Sequence, residues 1–86
     1  MMRVHLRLTR PGGIWYANKV IERPHVGEMI LDNAYVGYEY VVEMVSVCTM
    51  EPYVIADVRW AGLEDTFPTK MRMQQVGWSW SENSNE

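Results

Sequence analysis

Tyr38-Glu39-Tyr40-Val41-Val42-Glu43-Met44-Val45-Ser46-Val47-Cys48 is the longest β-favouring run in the chain. Branched and aromatic side chains suit a pleated surface, and the stretch is dominated by them. Thr49-Met50-Glu51-Pro52 leads out of it into Tyr53-Val54-Ile55-Ala56-Asp57-Val58-Arg59-Trp60. The two segments read as a long hairpin at the centre of a small all-β domain. Tyr40, Val42 and Met44 alternate with Val41, Val45 and Val47, and only Glu39 and Glu43 interrupt the apolar run. A flat sheet with one wet face has no use for two apolar faces, so the pattern predicts a strongly bent strand shared between two sides of a barrel. In the return strand, Val54, Ala56, Val58 and Trp60 are expected inside, with Asp57 and Arg59 outside.

Upstream, Met2 to Leu8 alternates with period two, placing Val4, Leu6 and Leu8 on one face and Arg3, His5 and Arg7 on the other. That is a half-buried strand. It stops at Thr9-Arg10-Pro11-Gly12-Gly13, where proline withholds a donor and glycine permits positive φ. Ile14 to Glu22 reads as a second strand without a uniformly apolar face, suited to a sheet edge. Arg23-Pro24-His25-Val26-Gly27-Glu28 is a turn feeding the short strand Glu28 to Leu31. Asp32 to Gly37 is a loop of turn formers.

Downstream, residues 61–70 form a connection with a helical turn from Leu63. Met71 to Trp78 is expected to be a last, weakly patterned strand, and Trp78-Ser79-Trp80 continues the alternation. The polar residues 81–86 are read as a flexible tail behind a single β-barrel domain spanning 1–80. The expected core comprises Val4, Leu6, Leu8, Ile30, Val42, Val45, Val54, Ala56 and Val58, with Trp78 inside and Trp80 on the surface.

Composition bounds the rest. A chain of 86 residues buries only about two thirds of its unfolded surface, so ten aromatics are a large share of what it has to bury. The lone cysteine, Cys48, excludes an internal disulfide and points to a reducing, cytoplasmic setting; it reads as a small buried hydrophobe. No run approaches the length of a membrane span, and residues 1–10 lack the apolar centre of a signal peptide. The net charge of −3 is unevenly placed: residues 1–25 hold five cations and one acid, residues 26–86 three cations and ten acids. Because the arginines alternate with apolar residues, solvated strand faces explain them better than a basic arm.

The order of these segments carries a resemblance. An extended first strand is followed by Arg23-Pro24-His25-Val26-Gly27-Glu28-Met29-Ile30, a short loop, Tyr38-Glu39-Tyr40-Val41-Val42-Glu43-Met44-Val45 and a return strand. From Val20 to Trp60 this resembles the small SH3-like barrel proteins of tailed phages, in which a Pro-x-Val-Gly-Asp/Glu turn feeds the first barrel strand. The resemblance implies an SH3-like or related open barrel of five to six antiparallel strands, acting as a binding module. For a phage protein it further implies a host protein, inhibited or redirected in the host cytoplasm, as the target.

Catalytic patterns are missing. His5 and His25 match no zinc spacing, and one cysteine cannot complete such a site. Glu39, Glu43 and Asp57 lie where a hairpin brings carboxylates together, but pairing with Arg59 or Arg72 explains them better than acid–base chemistry. There is no nucleophile elbow and no phosphate-binding glycine loop. No enzyme activity, metal or cofactor is therefore expected. Trp15, Tyr16, Tyr35, Tyr38, Trp60, Trp78 and Trp80 exceed what a core already filled by valine and methionine can take. Either they cap the barrel ends or some are exposed as interface anchors. The leading expectation is a protein-binding surface that includes Trp15, Tyr16, Tyr35, Tyr38 and Trp80, with self-association as a further possibility. The alternative is a nucleic-acid-binding barrel using Arg3, Arg7 and exposed aromatics, disfavoured by the acidic balance.

Overall fold

The computed structural model describes residues 1–31, 39–47, 49–50 and 52–82. Among them, six strands form one sheet: β1 (Met2–Arg10), β2 (Gly13–Ile21), β3 (Met29–Leu31), β4 (Glu39–Val47), β5 (Tyr53–Trp60) and β6 (Ser79–Glu82). Their spatial order is β3-β4-β5-β1-β2-β6. The protein is thus mostly β, with a mixed, open sheet.

The expected antiparallel set needs one correction. β1 and β5 run parallel, Arg3 opposite Tyr53 through Leu8 opposite Val58, while every other pairing is antiparallel. Two antiparallel units, β3-β4-β5 and β1-β2-β6, are joined along this seam. The β4–β5 hairpin accordingly lies to one side, and β5 and β1 take the centre. β2 is an interior strand, since β6 pairs with its first half.

A register shift between Val42 and Met44 explains why β4 looked apolar on both faces. Val42 faces Val58, and the next residue paired on that side is Val45, opposite Ala56. The extra residue, Glu43, makes a bulge that turns the strand without ending it. Tyr40 and Val42 are buried before it and Val45 packs against the core after it.

Met71 to Trp78 is not a strand. Lys70–Gln75 forms a helix, α1, after a 3-10 turn at Glu64–Thr66. Lys, Met, Arg and Gln are good helix formers, and the alternation of Met71 and Met73 concealed this. The Thr69 hydroxyl caps the first turn by accepting from the Arg72 amide. At the other end the Gly77 amide donates to the Gln74 carbonyl and the Trp78 amide to that of Met73. With Gly77 at φ 100°, this is a Schellman closure, and it turns Trp78 back under the helix.

The core lies between one face of the sheet and this connection. Val4, Leu6, Leu8, Val42, Val54, Ala56 and Val58 are buried as expected, and Ile30 and Val45 are partly buried. Trp15, Ala17, Tyr40, Trp60, Met73, Val76 and Trp78 complete it. Tyr40 sits at its middle, with ring centroids 5.2 Å from Trp78 and 5.7 Å from Trp60, and its hydroxyl 3.8 Å from Met73 Sδ. Trp80 is half-buried, and β6 continues through Ser81 and Glu82. Cys48, the loop at Asp32–Gly37, Tyr35 and Tyr38 lie outside the described residues. Among the described residues no helix is long and apolar enough to cross a membrane.

Candidate functional site

The expected anchor residues separate onto two surfaces. Trp15 and Trp80 are directly paired across β2 and β6, with ring centroids 5.0 Å apart. Trp15 is buried at 3% exposure, so only Trp80 of this pair offers its ring to solvent. Together with Phe67 and Pro68 they line a groove of about 550 Å³ between the β1–β2 turn, β6 and the segment entering α1. Pro11 and Gly12 make that turn; proline fixes φ at the first central position and Gly12 takes φ 90° at the second.

Two cations, Arg10 and Lys70, and one acid, Glu82, line the groove. The Arg10 guanidinium stands 3.8 Å from the Phe67 ring centroid and bonds Glu64 through both its terminal nitrogens. Hydrogen bonding to Arg10 holds the Glu64 carboxyl below its ordinary value. Lys70 Nζ lies 5.5 Å over the Trp80 ring, and among the described residues no carboxylate pairs with it. Ammonium over indole is attractive in itself and leaves the charge available to a ligand.

Tyr16 lies on the other face of the sheet, which no described element covers. There the period-two alternation of β1 projects Arg3, His5 and Arg7 between β2 and β5. The His5 ring is 5.5 Å from Tyr16 and 6.4 Å from Tyr53, forming a short aromatic row across three strands. Asn18 Oδ1 can only accept, so His5 Nδ1 donates to it at 2.7 Å. Arg7 makes a bidentate pair with Asp57 at 2.8 and 3.0 Å, and that hydrogen bonding raises its guanidinium above the ordinary value. Arg59 lies 3.4 Å from Glu43. Of the carboxylates that might have met across the hairpin, Asp57 and Glu43 are thus each drawn to an arginine. Sequence reasoning missed His5, Asn18 and Tyr53 as a group, since their meeting depends on the parallel seam.

Among the described residues no cluster of His, Cys, Asp or Glu could hold a metal ion. No protein-family model matches the chain, and neither a curated protein nor a solved structure matches it significantly.

Proposed function

We propose that the chain is a non-enzymatic binding domain of SH3-like character that takes an extended segment of a protein partner in the Trp80 groove. The observation that carries this is the juxtaposition of Trp80, Phe67 and Pro68 in an open groove beside Lys70, whose ammonium makes no ion pair among the described residues although Glu82 also lines the groove. Aromatic rings in a groove supply large apolar contact at low entropic cost, and the rim charge selects the partner. The favoured segment therefore carries apolar or proline side chains followed by an acidic one. The SH3-like element of the proposal draws on the β4–β5 hairpin and on the Pro24–Glu28 turn, where Gly27 takes φ 88°. A phage source and a host target belong to the same proposal.

Selection from a random peptide library, followed by titration of tryptophan fluorescence, tests it. Enriched peptides should contain an acidic residue, and Lys70→Glu should weaken them at least tenfold without lowering the melting temperature. Failure to enrich any peptide, or equal binding by Lys70→Glu, refutes the groove reading.

A second reading, nucleic-acid binding on the open face, is favoured by the Tyr16–His5–Tyr53 row flanked by Arg3 and Arg7. Bases stack on such rows. Arg7 is already held by Asp57, which leaves Arg3 as the main cation there. Binding of an oligothymidylate that falls steeply with salt would support it; its absence at low salt removes it.

A further inference from the structure

A depression of about 430 Å³ opens on the uncovered face near the start of β1, lined by Arg3, His5, Asn18, Lys19, Val20 and Tyr53. The chain is acidic overall, with eleven carboxylates against eight Lys and Arg, yet two of these six residues are cations and none is an acid. The register explains how they meet. Arg3 pairs with Val20 on one side and Tyr53 on the other, and His5 pairs with Asn18 one step along.

The chemistry of the lining points in one direction. Arg3 is exposed and has no carboxylate partner among the described residues. Asn18 has given its acceptor oxygen to His5, so its Nδ2 amide is the group left for a ligand, and it only donates. His5 Nε2 donates when the ring is protonated and accepts from a P–OH when it is neutral. Lys19 Nζ donates to the Val76 carbonyl at 3.2 Å, so its charge is directed to the helix side of the sheet and Arg3 is the cation that serves the depression. Asp57, on the same face, is paired with Arg7. Val20, 67% exposed, and the half-buried Tyr53 form the flanking walls.

We propose that this depression is an oxyanion site that takes a phosphate group, held by a bidentate Arg3 and the Asn18 amide with His5 beneath it. A guanidinium fork matches two phosphate oxygens, and a lining that carries Arg3 and the Asn18 amide but no carboxylate favours an anion. The proposal does not rest on the Trp80 groove, which lies elsewhere on the molecule. The phosphate belongs either to a free phosphate monoester or to a nucleic-acid strand, which would then continue over Tyr53 and Tyr16.

Amide and side-chain NMR shifts during titration with inorganic phosphate test the site. Saturable shifts should centre on Arg3, His5, Asn18 and Tyr53. Arg3→Gln should weaken binding at least tenfold, while Arg59→Gln, on the same face outside the depression, should leave it unchanged. Melting curves verify that both variants fold. Competition then separates the sources. Displacement of phosphate by oligothymidylate assigns the site to a strand, and displacement only by a phosphate monoester assigns it to a small molecule. Shifts that rise linearly without saturating, or that fall equally in both variants, overturn the proposal.

Discussion

Arg7 and Asp57 stand directly opposite each other on the parallel strands β1 and β5 and join through two hydrogen bonds of 2.8 and 3.0 Å. Among the described residues no other ion pair bridges β1 and β5. Parallel pairing gains slightly less per residue than antiparallel pairing, so a bidentate bridge across it has structural weight. The Arg7 side chain is 39% exposed and that of Asp57 26%, so solvent screens part of the attraction. A double-mutant cycle with Arg7→Ala and Asp57→Ala should give a coupling near the top of the surface range, about 1 kcal/mol, shrinking at high salt. A coupling of zero at low salt would show that the bridge does not hold the seam.

Gly13 begins β2 beneath β6. A Cβ there would collide with the Ser81 carbonyl and lie 2.7 Å from the Trp80 ring. Backbone cannot retreat as a flexible side chain can, so Gly13→Ala should push β6 away. The expected cost is about 1–3 kcal/mol, the range for overpacking. Faster hydrogen exchange at Ser79 to Glu82, with β4 and β5 unchanged, is the measurement that checks it. Uniform exchange across the sheet would mean that β6 does not rest on Gly13.

Much of this fold could be read from period-two alternation, because that pattern reports directly which side of a sheet is wet. β1 and β5 were legible for this reason, down to Val4, Leu6, Leu8 and Val54, Ala56, Val58. In β4 the same reasoning found the strand but explained its apolar faces by bending alone, where the bulge at Glu43 changes the face. α1 was hidden because six residues give too few turns for a 3.6-residue period to show. Its clearer signals were Thr69 as N-cap and Gly77 just past the end, both local and independent of periodicity. Trp60 and Trp78 are inside as expected, but Trp15, expected as an exposed anchor, is buried with its ring against Trp80. The open-face site was legible only in part. Arg3 and His5 share a face of β1 by alternation, but Asn18 and Tyr53 are distant in sequence and join them only through the registers of β2 and β5 on β1.

Acid should loosen the connection before the sheet. The Arg10 hydrogen bond keeps Glu64 below its ordinary value, so the folded state favours the carboxylate. For such a group the stabilising contribution is present above the unfolded value and is lost as pH falls through the folded one. Glu64→Gln should therefore lower the melting temperature slightly at neutral pH and make no difference in strong acid. Because Glu64 is exposed, the effect should also fade with salt. A gap between variant and parent that widened on acidification would contradict the assignment.

The two tryptophans flanking Ser79 divide stability from recognition. Trp78 is 2% exposed and lies against Tyr40 at the end of the Schellman closure. Its removal leaves a cavity between α1 and the sheet, which neighbouring strands cannot collapse to fill. Trp78→Ala should cost about 3–5 kcal/mol, a large part of the stability of a domain this size. Trp80 is half-buried, resting on Trp15 at the groove. Trp80→Ala loses one side of that contact but opens no enclosed cavity, and a smaller cost of about 1–2 kcal/mol is expected from the area exposed. Peptide binding should show the reverse order. Trp80→Ala should abolish it, whereas Trp78→Phe, which keeps most of the buried ring, should leave it measurable. Thermal melts and the fluorescence titration on the same three variants decide the matter. Equal losses of stability, or a larger loss at Trp80, would place Trp80 in the core and remove the groove as a site of recognition.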